Sequence, residues 1–280
     1  MSTRRVLSHL AFASFAAVAA TACAGTSASS SEVASATEQA DSTDANASSA
    51  QAAQLSAVFV QGIASAKPEE ASAELNATGA TGLWPASCVT RTVDPANARV
   101  VHVHLERCTG PFGLVALTGD MTATFSSNAA GGLHVEVTSE GLVANGKPVT
   151  HAGSGDVTID GTARNIAWTG AWSRLNAKGE TVAHTTALAI AVDTATRCRD
   201  VSGTAVTTVG DREVDATIDG YRTCKTASGE DECPSGTVTL THVKTARTLT
   251  IRFDGSTEAT FTGPRGGQIQ VGMVCVAAGS

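Results

Sequence analysis

The chain has 280 residues, of which 26 are acidic and 19 are basic, and its formal net charge is −7 at pH 7. Binding to the phosphates of a nucleic acid requires clustered positive charge, and the sequence contains no such cluster, so we expect no nucleic-acid partner. Seven Phe, three Trp and one Tyr give a core with few large aromatic side chains.

The first 22 residues have the pattern of a signal peptide. Arg4 and Arg5 give a short positive region, and residues 6–20 form an apolar run. The run has the length of a signal-peptide hydrophobic region and is shorter than the roughly 20 residues of a membrane-spanning helix. We therefore predict that residues 1–22 direct export and are removed.

The site after the apolar run reads Ala20-Thr21-Ala22-Cys23-Ala24. It resembles the lipobox of bacterial lipoproteins, in which a Cys after small residues carries lipid and begins the mature chain, although Ala20 stands where that pattern usually has Leu. The resemblance implies lipidation at Cys23 and a membrane partner reached through the lipid anchor. Because Ala24 is not Asp, it also implies the outer membrane or cell surface. An ordinary secretory cleavage site, which would make the protein periplasmic or secreted, is the alternative.

Residues 23–50 follow as the lipidated Cys and its linker. Ser, Ala, Thr, Glu and Asp dominate positions 24–50. Such a composition cannot bury enough apolar surface to offset the entropy lost on ordering. We predict a flexible spacer between the lipid and the body of the protein.

Helical spacing appears in residues 51–77. Apolar or small residues recur at intervals of three and four, at Leu55, Val58, Phe59, Gly62, Ile63 and Ala66. Pro68 interrupts this run, and Glu69 and Glu70 suit the first turn of a second helix that would end near Asn76, because acidic side chains favour the positive end of the helix dipole. We predict one or two N-terminal helices that pack an apolar face on a sheet.

Residues 83–280 alternate with a period of two. Val101 and Val103 fall on one face of a strand, and His102 and His104 fall on the other. Turn signals separate such stretches at residues 94–97, 144–147, 159–161, 219–220, 254–255 and 264–267. No helical pattern of useful length occurs, so parallel βαβ units are not expected. We predict a mainly β domain, an antiparallel meander that forms a sandwich, an open barrel or a large bent sheet.

The stretch from Cys198 to Cys224 predicts a β-hairpin that organises this domain. Folding it about Asp211 places Cys198 opposite Cys224 and Val206 opposite Ala216. Directly opposed strand residues lie about 4.5–5.5 Å apart, which a disulfide can bridge.

Six Cys remain when Cys23 is set aside for lipid, and an even number in an exported chain predicts three disulfides. Hairpin geometry favours the pairs Cys198–Cys224, Cys88–Cys108 and Cys233–Cys275. A bond between Cys224 and Cys233 is the competing possibility. No C-x-x-C pair occurs, so a zinc site built from Cys is disfavoured.

Four residues form a weak candidate metal site. His102 and His104 share one strand face, and His134 and Glu136 repeat that spacing. If the two strands were adjacent, three imidazoles and a carboxylate could converge on zinc. A solvated polar face is the alternative that we favour, because nothing in the sequence shows that these faces meet.

Trp168 and Trp172 are a weak candidate binding site. Their spacing of four places both on the same face of a strand, where they could form an aromatic platform for a sugar or a peptide. Packing in the core is the alternative that we favour.

No motif for catalysis or for a cofactor is found. The sequence lacks a G-x-S-x-G elbow, a P-loop and a dinucleotide fingerprint, and residues 153–156 (GSGD) indicate a flexible turn. We therefore expect no cofactor and no enzymatic activity.

The last third of the chain contains C-P-S-G-T-V-T-L from Cys233 and a final Cys275. In these features it is similar to uncharacterised Cys-containing lipoproteins of proteobacteria, a likeness that implies no activity. We expect a membrane-anchored, non-catalytic structural or binding domain. A carrier of a small apolar ligand in a curved-sheet cavity is one alternative, and a metal-dependent hydrolase using His102 and His104 is another.

Overall fold

The structure, a computed structural model, describes residues 37–38, 40–45, 48, 59, 63–77, 86–109, 116–176, 178–226, 232–273 and 275–277. The predicted signal peptide, the lipidation residue Cys23 and most of the first predicted helix lie outside these residues. Within the part of the chain that is described, no helix is long and apolar enough to cross a membrane.

The body is one antiparallel sheet whose thirteen described strands follow each other in sequence order. Helix α1 (Pro68–Ala77) and a 3-10 turn (Ala86–Cys88) precede it. The strands are β1 (Val89–Asp94), β2 (Asn97–Thr109), β3 (Ala116–Ser127), β4 (Leu133–Ala144), β5 (Lys147–Asp160), β6 (Ala163–Leu175), β7 (Thr181–Asp193), β8 (Cys198–Val209), β9 (Arg212–Cys224), β10 (Ser235–His242), β11 (Arg247–Asp254), β12 (Glu258–Thr262) and β13 (Gln268–Gly272). The predicted meander is confirmed as a single sheet that does not close, and it is not a sandwich.

Alternation gives the sheet one apolar face, here called the inner face, and one polar outer face. On β2, Val101, Val103 and Leu105 are buried whereas His102 and His104 are exposed, as the sequence predicts. Most of the buried apolar residues from β2 to β12 belong to one core. A slip of one residue would turn every apolar side chain of a strand outward, so one-sided burial fixes the pairing of each strand.

Helix α1 covers the sheet at β1, β2 and β3. Ala71 and Leu75 are fully buried on its sheet-facing side. The Ser72 hydroxyl donates to the carbonyl of Ala98, just inside β2. The predicted second helix is therefore present, and it packs on the sheet as expected.

The two ends of the sheet carry different charges. Four strands end in an Asp that begins a turn, and they define the aspartate end: Asp94, Asp160, Asp193 and Asp254. The opposite end is here called the lysine end, because its turns and the residues beside them include Lys147, Lys178, Lys244 and Arg265. At Asp94 the carboxylate accepts the backbone N–H of Ala96 at 2.7 Å, an Asx turn that also lowers the pKa of Asp94.

The predicted hairpin is formed by β8 and β9, but its register changes along its length. Cys198 pairs with Cys224 as predicted. Nearer the turn, Val206 pairs with Asp215 instead of the predicted Ala216. The prediction is therefore correct at the open end and wrong by one residue near the turn.

A β-bulge accounts for this change. Between the pairs Val201–Tyr221 and Gly203–Ile218, β9 contains one residue more than β8. The sequence Asp219-Gly220, predicted as a turn, supplies that extra residue, and Gly220 has a φ of 56°. An extra residue on one strand bends it and shifts its pairing, which the alternating pattern alone does not reveal.

Three disulfides brace the sheet, in the pairing that hairpin geometry favours. The Cα–Cα distances are 5.2 Å for Cys88–Cys108, 4.0 Å for Cys198–Cys224 and 4.9 Å for Cys233–Cys275. The competing Cys224–Cys233 bond is not formed. Each bond is expected to contribute about 2–4 kcal/mol, mainly by restricting the unfolded chain.

Residues 153–156 lie within β5 and not in the predicted turn. The reason is the indole ring of Trp168 on β6, which lies across the glycines of β5. A Cβ atom at Gly153 would lie 2.5 Å from Cζ2 of Trp168, and one at Gly155 would lie 2.8 Å from Cε3. These glycines make room for a large ring against the backbone, so their role is packing.

The spacer prediction is wrong for part of residues 24–50. The described residues from 37 to 45, here called the acidic segment, are helical. Glu38, Asp41 and Asp44 recur every three residues, which places their carboxylates along one side of a helix. Asp41 and Ala45 are buried. Composition alone suggests a spacer here because the segment has few apolar residues. It does not reveal the partners of the acidic side chains, which are distant in sequence.

Three arginines at the lysine end bind the acidic segment. Arg247 donates to Glu38 at 2.7 Å. Arg212 donates to the two carboxylate oxygens of Asp41 at 2.8 and 3.2 Å. The third pair joins Arg174 to Asp44. These arginines belong to β11, β9 and β6, so the segment crosses the strand ends.

The chain is also attached to the aspartate end, through Arg164 at the start of β6. The Arg164 side chain is buried, and its Nε donates to the carbonyl of Ile63 at 2.6 Å. Its Nη1 donates to the carbonyls of Gly161 at 2.7 Å and Ala163 at 3.0 Å. Residues 44 and 63 are therefore attached at opposite ends of the strands.

The Gly153→Ala variant tests the packing of Trp168. We expect its free energy of unfolding to fall by about 1–3 kcal/mol, because the added Cβ would overlap the indole ring. Urea denaturation measures the change. Gly272→Ala is the matched control, since a Cβ there meets nothing within 4 Å, and its change should stay within about 0.5 kcal/mol. A Gly153→Ala protein as stable as the control would contradict the packing role.

The Arg212→Ala variant tests the attachment of the acidic segment. It leaves the Asp41 side chain, which is 3% exposed, without its guanidinium partner. We expect a loss of about 1–3 kcal/mol in urea denaturation and faster proteolysis within the segment. The control is Arg222→Ala, which removes an exposed pair with Asp200 and should cost less than about 1 kcal/mol. Equal losses in the two variants would contradict a docked segment.

Candidate functional site

The predicted metal ligands lie on the outer face but do not converge. His102 pairs with Thr122 on β3, and Thr122 pairs with Thr138 on β4. His134 lies four residues from Thr138 along β4, about 13 Å away at the rise of a strand. Among the described residues, no group of three or more His, Cys, Asp or Glu side chains is arranged to hold a metal ion.

Each of these histidines instead contacts carboxylates close to it. His102 Nε2 lies 3.2 Å from Asp94, and His104 Nδ1 lies 2.7 Å from Asp120. The hydrogen bond with Asp120 raises the pKa of His104. Both histidines are about half exposed, so this part of the outer face is polar and open to solvent.

His134 pairs with Asp156 on β5. Its Nδ1 lies 2.9 Å from Asp156 Oδ1. Its other ring nitrogen, Nε2, lies 3.8 Å from Glu136 Oε1. A general base would need this nitrogen beside a nucleophile, but it faces a second carboxylate. Ser154, two residues before Asp156, approaches Thr169 at 3.4 Å instead.

The His134–Asp156 pair lies at the edge of a shallow depression on the outer face. The depression has a volume of about 310 Å³ and is open to solvent. Its lining comes from β4 to β7 and comprises His134, Ser154, Gly155, Asp156, Ala167, Trp168, Thr169, Ala187 and Leu188. Small side chains form its floor and polar groups stand at one side. This arrangement can bind a small polar group at the surface, but it does not enclose an apolar ligand.

The inner face contains a row of buried polar residues that the sequence analysis did not identify. Cross-strand pairing aligns His151, Trp172, His184 and Thr207 on β5 to β8. All four are buried. His184 Nδ1 and Thr207 Oγ1 are 2.8 Å apart and share a hydrogen bond. Trp172 thus lies between two histidines in the core and does not form an exposed aromatic platform.

Among the described residues, five buried polar atoms in or beside this row have no hydrogen-bond partner: His151 Nδ1, Trp168 Nε1, Trp172 Nε1, His184 Nε2 and Thr186 Oγ1. A buried polar group without a partner costs about 1–3 kcal/mol. The space between His151, Trp168, Trp172 and His184 does not admit a water molecule. The row is therefore closed, and a ligand could reach it only if the inner face were uncovered.

Burial also keeps the two histidines of the row neutral. Removal from water lowers the pKa of His151 to about 4 and that of His184 to about 4. In the unfolded chain both would titrate near 6.5. The unfolded state therefore binds more protons than the folded state between pH 6.5 and pH 4.

The residues that sequence reasoning missed are His151 and His184, together with the acidic segment. The sequence signal for the two histidines is their position: each falls on the same strand face as apolar residues that are predicted to be buried. His151 follows Val149 at a spacing of two, and His184 follows Val182 in the same way.

No protein-family model, curated protein or solved structure matches this chain. Its function is therefore inferred from its own residues and geometry.

Acidification is expected to destabilise the protein through the buried histidines. Protonation favours the unfolded state between pH 6.5 and pH 4, so each histidine should remove up to about 3 kcal/mol of folding free energy across that range. Urea denaturation at pH 7.5 and at pH 5 measures the loss.

The variant His184→Gln should reduce this dependence on pH, while His102→Gln, at an exposed position, should leave it unchanged. An identical pH dependence in all three proteins would contradict the assignment to the inner row.

Proposed function

We propose that the protein is an exported lipoprotein of the bacterial cell envelope, held at a membrane by lipid on Cys23. The observation that supports this most directly is the use of the cysteines. The chain has seven, and the three disulfides pair six of them with one another. Cys23 is the one left over, and it stands at the lipobox position.

The disulfides agree with a location outside the cytoplasm. Disulfides persist in oxidising compartments and are rare in the cytosol. Three such bonds in one sheet are compatible with an extracytoplasmic protein. Within the proposal, the signal-peptide pattern directs export and Ala24 favours the outer membrane or cell surface over the inner membrane.

The body of this lipoprotein is a non-catalytic structural or binding domain. The outer-face histidines contact carboxylates, and the second ring nitrogen of His134 faces Glu136. This geometry gives no support to a hydrolase that uses His102 and His104. The surface depression beside His134 and Asp156 is the place where the domain would bind a small polar group.

The alternative of an apolar ligand carrier is less well supported. Such a carrier needs an enclosed apolar cavity of about 300 Å³ or more. The depression on the outer face is large enough but open, and the space beside Trp172 is enclosed but too small. Neither of these two spaces fits an apolar ligand.

The Cys23→Ser variant tests the lipid anchor. We expect it to lose metabolic labelling with an alkyne fatty acid and to leave the membrane fraction, because an acyl chain needs the thiol. Ala24→Ser, at the adjacent position, is the matched control and should keep both label and membrane association. Labelling of the Cys23→Ser protein at the level of the control would remove the lipoprotein proposal.

A further inference from the structure

Three turns at the lysine end share an unusual composition. The exposed large apolar residues in the described part of the chain are Leu175, Val243 and Ile269, with 44%, 48% and 39% of their surface exposed. Leu175 ends β6, Val243 follows β10 and Ile269 is the second residue of β13. All three are therefore at the same end of the sheet. Exposed apolar residues scattered singly need no explanation, whereas these three share one end of the sheet.

Each of these apolar residues has a cation within four positions of it in sequence. Lys178 follows Leu175, and Lys244 follows Val243 directly. Arg265 precedes Ile269 in the turn between β12 and β13. All three cations are exposed. Their clustering is notable in a chain whose net charge is −7.

The turns at the opposite end contain other charged residues. Four of them begin with Asp94, Asp160, Asp193 and Asp254, and the same end also carries Arg197 and Lys225. Hydrogen bonds from Thr196 and from the backbone N–H of Ala195 lower the pKa of Asp193, so it stays charged at neutral pH. The lysine end has acidic groups too. Asp211 and Glu213 lie outside the three turns with an apolar residue, and Glu180, in the turn after Leu175, accepts hydrogen bonds from Asn176 and Arg212.

The lysine end is also the end to which the N-terminal part of the chain is attached. The acidic segment binds Arg174, Arg212 and Arg247 there. Only 13 residues, 24–36, separate Cys23 from the first described residue of that segment. Even fully extended, this stretch spans at most about 50 Å.

We infer that the lysine end of the sheet is a membrane-contact surface, in which Leu175, Val243 and Ile269 enter the headgroup region and Lys178, Lys244 and Arg265 bind anionic lipid phosphates. An apolar side chain beside a cation is the composition that an interfacial site requires, because the apolar group inserts shallowly while the cation remains at the headgroups. The inference builds on the proposed lipid anchor, which holds this end close to a bilayer.

Fluorescence quenching by lipid tests the inference. The exported protein is reconstituted in vesicles of phosphatidylethanolamine and phosphatidylglycerol that contain lipids brominated near the headgroup. Val243→Trp and Leu175→Trp place a reporter at the lysine end, and Ala195→Trp places one in an exposed turn of the aspartate end. Emission of the unsubstituted protein, which has Trp84, Trp168 and Trp172, is subtracted. We expect quenching of both lysine-end reporters and none of the Ala195→Trp reporter.

Charge variants then test the role of the lysines. In the Val243→Trp background, Lys178→Gln and Lys244→Gln together should weaken the contact by about tenfold or more, since each cation near an anionic surface is worth about fivefold in affinity. Vesicles of phosphatidylcholine should also reduce the quenching. Arg197→Gln with Lys225→Gln, at the aspartate end, is the control and should leave it unchanged.

Sedimentation of the same vesicles separates this inference from the proposed lipid anchor. A protein that sediments with the vesicles but shows no quenching at position 175 or 243 overturns the membrane-contact surface, and it would point to a soluble acidic partner for these turns. A Cys23→Ser protein that is added to the vesicles from outside and is still quenched at positions 175 and 243 at high lipid concentration would show that the contact surface acts without the anchor, and it would support the inference. Equal quenching at positions 195 and 243 also overturns the inference.

Discussion

An antiparallel sheet with one apolar face is stable in water only when that face is covered. The other contacts of this structure depend on which residues provide the cover. In the meander every described strand pairs with its neighbours in sequence, so the pairing of strands alone does not connect the first strands with the last. The cover comes from residues that precede β1. Phe59, Ile63 and Leu75 are fully buried against the inner face.

Ion pairs attach this cover to strands that are far away in sequence. Asp41 and Arg212 are 171 positions apart, and Glu38 and Arg247 are 209 positions apart. Partly buried pairs of this kind select one geometry, because removing either partner leaves a charge with poor solvation. The acidic segment therefore joins β6, β9 and β11 at the lysine end. The segment begins 14 positions after Cys23, so it is the described part of the chain nearest in sequence to the proposed lipid anchor.

The alternating pattern was sufficient to predict the architecture, because a strand half buried on one face must repeat with a period of two. It also predicted the Cys198–Cys224 pairing, since both residues lie at the open end of a hairpin with a recognisable turn. The register nearer that turn was not predictable, because Asp219-Gly220 has the same composition whether it forms a turn or a bulge. Glycines 153 and 155 have the composition of a turn, but they make room for the Trp168 ring on the neighbouring strand. The sequence around them does not reveal this contact.

The candidate sites were harder to predict than the fold, because their contacts join residues that are far apart in sequence. His102 and His104 are two positions apart, and His134 and Glu136 repeat that spacing. Which side chains they contact depends on the cross-strand register, which the spacing does not reveal. The acidic segment has the composition of a spacer, and three arginines from distant strands convert it into a docked element. Composition indicates whether a segment would be ordered by itself. Ion pairs with residues more than a hundred positions away cannot be recognised from it.

The division of the sheet into faces and ends also limits where a partner can bind. The inner face is occupied by the protein's own residues, and its polar row around Trp172 is closed. What remains accessible in the described sheet is the outer face, with its small depression beside His134, and the two ends. Because the exposed apolar side chains occur at the lysine end, this end differs from the outer face in the kind of partner it suits. The outer face suits a polar ligand in water, and the lysine end suits a surface that is apolar and anionic at once.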